Sequence, residues 1–230
     1  MASTGHTLKA FDEDLDQLRG LISQMGGLAE HAIGEAMRCL VQRDCDGALR
    51  VIENDRKVDA LEIETERRAI QLIALRAPMA GDLRDIVAAL KISSVVERIG
   101  DYAKNIAKRV SLLDDLGRIE PLSLLPEMAR IATGMVHDVL NAFVQRDAEA
   151  AEEVIERDRA VDDFYDAVFR TLLTHMMENP HNIGPSAHLL FVAKNIERVG
   201  DHATNIAEMV YYAATGDHRP DRARSSTRTV

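Results

Sequence analysis

The chain has little of what β-rich proteins are built from. Its 230 residues include no tryptophan, and aromatic residues make up only 4% of the total. Alanine, leucine, arginine and glutamate, which favour helices, are abundant, and there are few β-branched or aromatic runs. Hydrophobic residues still account for 46%, which is enough for a globular core. We therefore predict an all-α protein.

Other scarcities exclude further classes of protein. The two cysteines, Cys39 and Cys45, do not have a zinc-site spacing, and we expect reduced thiols. The first residues show no basic segment followed by an apolar one, as a signal peptide would. No apolar run approaches the ~20 residues that a membrane span requires. These absences predict a cytoplasmic protein.

The net charge and the absence of catalytic motifs exclude two classes of function. Acidic residues outnumber basic ones by 38 to 28, whereas a non-specific nucleic-acid binder needs a net basic face. No phosphate-binding loop, dinucleotide fingerprint or Ser/His/Asp or Cys/His nucleophile arrangement stands out. We expect no nucleic-acid partner and no enzymatic activity.

The sequence repeats itself. "LVQRDCDGALRVIENDRKVD" (40–59) aligns without gaps to "FVQRDAEAAEEVIERDRAVD" (143–162), with 12 of 20 positions identical. "ERIGDYAKNIA" (97–107) returns as "ERVGDHATNIA" (197–207), with eight of 11 positions identical. A repeat of this length indicates two copies of one structural unit.

Each copy is predicted to contain three long amphipathic helices. Apolar residues step by three or four from residue 8 to residue 40, and "QRDCDG" interrupts them. The predicted helices are 8–40, 46–76, 81–113, 124–145, 147–178 and 186–214. We predict two tandem antiparallel three-helix bundles, 1–117 and 118–215, followed by a disordered basic tail, 216–230.

Four pairs of acidic residues, each spaced four apart, lie in the repeated segments. They are Asp55/Asp59, Glu97/Asp101, Asp158/Asp162 and Glu197/Asp201. Residues four apart share a helix face, and like charges there repel. In each antiparallel hairpin the two pairs are equally far from the turn, roughly 30 Å at ~1.5 Å per residue. The pairs of each copy should therefore lie side by side.

Four carboxylates at one level favour a hard cation with oxygen ligands. We predict a shallow, partly exposed metal site on each copy, holding iron, zinc, manganese or magnesium. The alternative is a solvated acidic face that docks a basic partner.

Neighbouring positions have supporting roles in this prediction. Asn105 and Asn205, one turn beyond the aspartates, are candidates to bind a ligand water, and Arg98 and Arg198 to pair with the acids. Glu208 shares a face with Asp201, whereas the first copy has lysine at that position, so the second site should bind its ion more tightly. Gly100 and Gly200 indicate either close helix approach or room beside an ion.

These doubled acid motifs, "ENDRKVD", "ERDRAVD", "ERIGDYAKNIA" and "ERVGDHATNIA", resemble the signature of the PhoU family of phosphate-transport regulators. The resemblance covers about residues 8–214. It implies two three-helix repeats with pseudo-twofold symmetry and metal clusters at the acidic motifs. It also implies a negative regulator of phosphate uptake and phosphate-starvation signalling. Tyr102 and Lys104 in "ERIGDYAKNIA", the first of the two ERxGD motifs, depart from this signature, as does Lys108, which stands opposite Glu208.

The resemblance implies partners as well. They are a sensor histidine kinase and the ATPase subunit of a phosphate ABC transporter, so that membranes are reached only through partners. A homodimer is a further expectation. Two alternatives stay open: a metal-free helical scaffold, and a di-metal carboxylate oxidoreductase. The second is disfavoured because the motifs lack the Glu-x-x-His pairing of ferritin-like sites.

Overall fold

Helices run through almost the whole of the described chain. The computed structural model describes residues 3–113 and 120–219. Two short 3₁₀ turns, Glu120–Leu124 and Pro180–Asn182, precede the helices that start at Leu125 and Ile183. The helices are α1 Ser3–Gln42, α2 Cys45–Asn54, α3 Arg56–Arg76, α4 Ala80–Ala107, α5 Val110–Leu113, α6 Leu125–Gln145, α7 Ala148–Glu178 and α8 Ile183–Thr215.

The same residues end the first helix of each repeat and start the second. Arg43 and Arg146 both have a left-handed backbone, with φ of 58° and 55°, which stops the preceding helix. Asp44 and Asp147 then accept a hydrogen bond from the backbone N–H three residues further on, at 2.7 and 3.0 Å. Such N-caps satisfy amides that a helix start leaves without partners. The repeated Gln-Arg-Asp segment is therefore a helix stop followed by a helix start.

The predicted helix 46–76 is divided in the structure. A turn at Asp55 separates α2 from α3, and the N–H of Val58 bonds to the Asp55 carbonyl at 2.8 Å. This tighter three-residue hydrogen bond interrupts the α-helical pattern. The equivalent Asp158 lies inside the unbroken α7.

Two further helix ends differ from prediction. The predicted helix 81–113 ends at Ala107. The backbone N–H of Arg109 donates to the Ile106 carbonyl at 2.9 Å and closes a tight turn before α5. The helix predicted from 186 starts earlier, at Ile183, since Pro185 falls in the first turn, where its missing N–H costs no hydrogen bond.

The two repeats share one continuous core. Helices α1 and α4 of the first repeat pack against α6 and α8 of the second, mainly through α4 with α8 and α1 with α6. The remaining long helices, α3 and α7, lie outside, on α4 and α8 respectively. Each acidic motif pair thus lies between an outer helix and an inner one.

The predicted boundary at 117/118 falls outside the described residues, as do residues 220–230 of the predicted tail. Of the tail, residues 216–219 are described. His218 stacks on Tyr212, with ring centroids 4.6 Å apart, and Arg219 Nε lies 3.5 Å from Glu152 Oε1. The domain limits and the disorder of 220–230 stay predictions.

Candidate metal centres

The paired acids of each repeat meet across a glycine. A Cβ atom added to Gly100 would lie 3.3 Å from Asp55 Oδ1, and one added to Gly200 would lie 3.4 Å from Asp158 Oδ1. The missing side chains therefore let the carboxylate of the outer helix approach the inner helix. This agrees with the predicted level arrangement of the acid pairs.

The eight predicted ligands differ in exposure. Asp55 and Glu197 are buried, whereas Asp162 and Asp201 are exposed. The half-buried carboxylates are Asp59, Glu97, Asp101 and Asp158. Each cluster therefore has one deep carboxylate and a rim open to water, so the sites are less shallow than the sequence predicts.

A lysine joins the acid pairs of the first repeat. Lys104 Nζ donates to Asp55 Oδ2 at 2.6 Å and to Asp101 Oδ1 at 3.2 Å. The first is a short charge-assisted hydrogen bond, and the second is longer than such bonds usually are. The ammonium group thus bridges the two helices that carry the acids.

The charges of the first cluster act on one another. The hydrogen bond to Asp55 raises the pKa of Lys104 above its ordinary value, which keeps the lysine charged. Burial raises the pKa of Asp59, as do Asp55 and Asp101, while Lys104 lowers it. Burial and the other acids of the cluster also raise the pKa of Glu97. The four carboxylates are therefore electrostatically coupled, with Lys104 as a compensating cation.

The second cluster is coupled in the same way but has threonine where the first has lysine. Burial raises the pKa of Asp158 to about 6, with further increases from Asp162, Asp201 and Glu197. Thr204, whose hydroxyl donates to the Gly200 carbonyl at 3.3 Å, is the one neighbour in the described chain that lowers the pKa of Asp158. Because threonine carries no charge, the repulsion around Asp158 is relieved less than that around Asp55.

Glu197 is the deepest group of the second cluster. It is only 4% exposed, and Lys194, one turn earlier on α8, donates to its Oε1 at 2.6 Å. Its Oε2 is buried and has no hydrogen-bond partner within the described chain. A buried carboxylate oxygen without a partner is costly and calls for a cation or a hydrogen-bond donor.

The donor set of the second cluster suits a hard metal ion. Carboxylate oxygens from α7 and α8, with water at the exposed rim, are the ligands that magnesium, manganese and ferrous ions prefer. Across residues 3–113 and 120–219, no three His, Cys, Asp or Glu side chains are close enough to form a ready-made metal site. A metal would therefore have to draw Asp158, Asp162, Glu197 and Asp201 together.

The residues predicted to support the metal lie partly at the contact between repeats. Arg198 lies over the ring of Tyr102, with Cζ 6.0 Å from the centroid. Burial lowers the pKa of His202, and the charges of Arg98 and Arg198 lower it further. Asn205 Nδ2 lies 3.3 Å from His202 Nδ1. Arg198 and Asn205 thus contact the rings of Tyr102 and His202, which stack with centroids 5.4 Å apart, and Arg98 acts on His202 through its charge.

The other two predicted supporting residues have simpler surroundings. Asn105 is half-buried one turn beyond Asp101, and Glu208 is exposed on α8. A supporting role for either stays a prediction.

Two lysines, Lys104 and Lys194, pair with acids of the clusters, although neither is among the predicted site residues. Lys104 stands out in the sequence as a departure from the repeated motif, but its bond to Asp55 is not visible there because Asp55 is 49 residues away. Lys194 has a local signal, since it precedes Glu197 by three residues, a spacing that brings side chains together on a helix. Only the repeat alignment, lysine against threonine, points to the difference between the clusters.

A separate apolar groove lies between α1 and α6. Its volume is about 700 Å³, and its lining includes Ile33, Met37 and Val41 from the first repeat and Pro126 and Ala129 from the second. None of the acid pairs lines it. The carboxylate clusters are instead open to solvent at their rims.

Comparisons with known proteins agree on one family. The PhoU domain model matches residues 22–110 and 125–210, one match for each repeat. No helix in the described residues is both long and apolar enough to cross a membrane.

Relatives match along nearly the whole chain. A protein named phosphate-specific transport system accessory protein PhoU homolog, from Zymomonas mobilis, is 53% identical over 220 residues, which is 96% of this chain and 93% of the relative. PhoU from Serratia marcescens is 37% identical over 92% of this chain and 87% of its own length. The crystal structure of PhoU from Pseudomonas aeruginosa superposes with a TM-score of 0.86 at 33% identity, covering 90% of this chain and 100% of that one. Two domain matches, whole-length relatives and the shared fold place this chain in the PhoU family.

Proposed function

We propose that this protein is a non-enzymatic, cytoplasmic accessory protein that negatively regulates phosphate uptake and phosphate-starvation signalling. The support is its membership of the PhoU family, whose relatives are named phosphate-specific transport system accessory proteins. The open rims of both carboxylate clusters also favour a non-catalytic role, because metal catalysis depends on a dry, shaped cavity.

In this proposal the chain acts as an adaptor between two partners. These are the ATPase subunit of a phosphate ABC transporter and a sensor histidine kinase, and the protein contacts the membrane only through them. An exposed apolar stripe on α7 supports a role in protein contacts. Phe169, Leu173 and Met177, four residues apart, are 41%, 46% and 80% exposed. Apolar residues at this spacing are typical of helices that bind a partner.

Metal binding is the second part of the proposal. The observation that carries it is the buried Glu197 Oε2 without a hydrogen-bond partner in the described chain, beside an Asp158 whose pKa is raised to about 6. Asp158, Asp162, Glu197 and Asp201 would hold the ion. When bound, it would neutralise the cluster and link α7 to α8. The candidates are iron, zinc, manganese and magnesium.

Elemental analysis tests metal binding directly. The protein is purified without chelators or a metal-affinity resin, and the wild type is compared with an Asp101→Asn/Asp201→Asn double variant. We expect stoichiometric metal in the wild type and its loss in the variant. Absence of metal from the wild type would contradict this part of the proposal.

Cross-linking tests the adaptor role. The protein is cross-linked in cells grown with ample phosphate, and the products are identified by mass spectrometry. We expect peptides of a transporter ATPase and of a sensor kinase, and finding neither would contradict the proposal. Sedimentation of the purified protein decides whether it forms a homodimer, which is a further part of the proposal.

A metal-free scaffold is the second candidate, and Lys104 favours it. Its ammonium group between Asp55 and Asp101 demonstrates that a lysine side chain fits between paired acids. A partner's lysine or arginine would then enter the second cluster instead of a metal. This candidate predicts no metal in the wild type but weaker partner capture by Asp201→Asn.

A further inference from the structure

The two repeats differ in what lies between their acid pairs. In the first repeat, Lys104 Nζ is 2.6 Å from Asp55 Oδ2 and 3.2 Å from Asp101 Oδ1. Asp55 lies at the turn between α2 and α3 and Asp101 lies on α4, so the ammonium group occupies the space between this turn and α4. The Asp55 side chain is 6% exposed, and Lys104 satisfies the charge of this buried carboxylate.

The equivalent of Lys104 in the second repeat is Thr204, one hundred residues later in the matching motif. The Thr204 hydroxyl donates to the Gly200 carbonyl at 3.3 Å, and threonine brings no positive charge to the cluster. The nearby lysine, Lys194, lies on the same helix as Glu197 and pairs with its Oε1 across one turn. Its ammonium group also lies over the ring of Tyr165 on α7, 5.3 Å from the centroid, so it contacts both helices but does not join the acids of α7 to those of α8 as Lys104 joins Asp55 to Asp101.

The difference between the two repeats is seen at one buried oxygen of Glu197. Glu197 Oε2 is buried and lacks a hydrogen-bond partner in the described residues, although Lys194 already bonds to the other oxygen. A second cation is one group that would satisfy this oxygen, as a hydrogen-bond donor would. In the first repeat, a cation is already present as part of the chain.

We infer that Lys104 is an internal cation that takes the place of a metal ion in the first repeat, so that the chain binds metal in the second repeat only. This inference rests on the metal binding of the proposed function. The arrangement of the first acidic cluster is then the same at any metal concentration, whereas that of the second cluster depends on bound metal. Any partner contact that requires metal should accordingly involve α7 and α8.

Exchanging the two residues tests the inference. Lys104→Thr makes the first cluster resemble the second, and Thr204→Lys makes the second resemble the first. Thr204→Met is the matched control, because it adds bulk without charge. Each full-length protein is dialysed separately against Mn²⁺, Fe²⁺ without oxygen, Zn²⁺ and Mg²⁺, and bound metal is counted by mass spectrometry. Circular dichroism checks folding.

We expect Thr204→Lys to bind metal at least tenfold more weakly than the wild type and therefore to lose it on dialysis. Thr204→Met should keep most of the bound metal. Lys104→Thr should bind about twice the metal of the wild type, and the double exchange should return to the wild-type amount. If Lys104→Thr does not fold, Thr204→Lys alone decides, since the inference requires that it remove all the metal.

Two results overturn the inference in different ways. If Thr204→Lys keeps half the metal and Asp101→Asn removes that half, both repeats bind metal; the inference fails while the proposed function stands. If neither the wild type nor Lys104→Thr binds any of the four metals, the metal-binding function itself fails, and the inference fails with it.

Discussion

Tyr102 and His202 occupy equivalent positions of the two repeats and contact each other. Their rings stack with centroids 5.4 Å apart, and Tyr102 Oη lies 3.0 Å from His202 Nε2. Contact between equivalent residues is what a twofold axis between repeats produces. With the amide Nδ2 of Asn205 donating to Nδ1, the proton of the neutral imidazole would lie on Nε2, from which it would donate to Tyr102 Oη.

This contact should make folding stability depend on pH. Burial, Arg98 and Arg198 lower the pKa of His202, so the folded protein resists protonation. As pH falls below the unfolded value of about 6.5, the unfolded chain binds a proton that the folded one does not, and stability is lost. We expect His202→Phe to flatten this part of the curve, as measured by urea unfolding between pH 8 and 5.

Tyr102→Phe provides the control for that experiment. It removes the hydroxyl but keeps the ring and the histidine, so it should cost about 1 kcal/mol at every pH. Its curve should retain the wild-type slope. Equal slopes for the wild type and His202→Phe would contradict the assignment to His202.

The second acidic cluster should oppose folding when metal is absent. The pKa of Asp158 is raised to about 6 from an ordinary value of 3.8, so between these values the folded protein binds a proton that the unfolded chain has lost. Stability therefore falls as pH rises from about 4 to about 6 and stays lower above that range. In a chelating buffer, we expect Asp158→Asn to stabilise the protein at pH 7.5 by about 1–2 kcal/mol, after allowance for solvent screening.

The equivalent change in the first repeat should have the opposite sign. Asp55→Asn removes the charge that pairs with Lys104, so unfolding in urea at pH 7.5 should occur at lower denaturant concentration. Stabilisation by both variants would show that Lys104 does not compensate its cluster.

Two neighbouring glycines in α1 should respond differently to alanine. A Cβ atom on Gly26 would lie 2.1 Å from Leu140 Cδ1 of α6, whereas one on Gly27 would meet nothing within 4 Å. Gly27→Ala should stabilise by about 0.5–1 kcal/mol, because alanine loses less entropy in a helix. Gly26→Ala should destabilise by about 1–3 kcal/mol, because Leu140 must move in the core. Thermal unfolding of the two variants measures the difference, and equal effects would mean that α1 and α6 pack less closely there.

Asp85 holds three helices together. Its carboxylate is buried and forms ion pairs with two arginines. Arg19 Nη2 of α1 lies 2.9 Å from Oδ2, and Arg146 Nη2, directly after α6, lies 3.2 Å from Oδ1. Burial raises the pKa of Asp85, while the two arginines lower it. We expect Arg146→Met to destabilise by about 1–2 kcal/mol, less than a fully buried pair would lose, because Arg146 is partly exposed.

A double variant tests this coupling between repeats. Adding Asp85→Asn to Arg146→Met should cost less than the sum of the two single changes in urea unfolding. Strict additivity would mean that Arg146 and Asp85 do not interact in solution.

Much of this architecture is a consequence of local sequence. Apolar spacing of three and four predicts the long helices, and the Gln-Arg-Asp segments set two of their boundaries through a left-handed arginine and an aspartate N-cap. Because the rise per residue of a helix is fixed, equal distances from the turn predict that Asp55 meets the Gly100 region and Asp158 the Gly200 region. The family resemblance follows from the same repeated motifs.

What the sequence left open depends on groups that are far apart in the chain. The turn at Asp55, the bridge from Lys104 and the stacking of Tyr102 on His202 join residues whose neighbours are chosen by helix packing. A helical wheel gives the direction of a side chain but neither the helix that it meets nor the depth of burial. The sequence alone therefore predicts the eight acids as candidate ligands, and that role stays a prediction. Only the tertiary structure distinguished a cluster with an internal lysine from one with a buried glutamate oxygen that lacks a partner in the described chain.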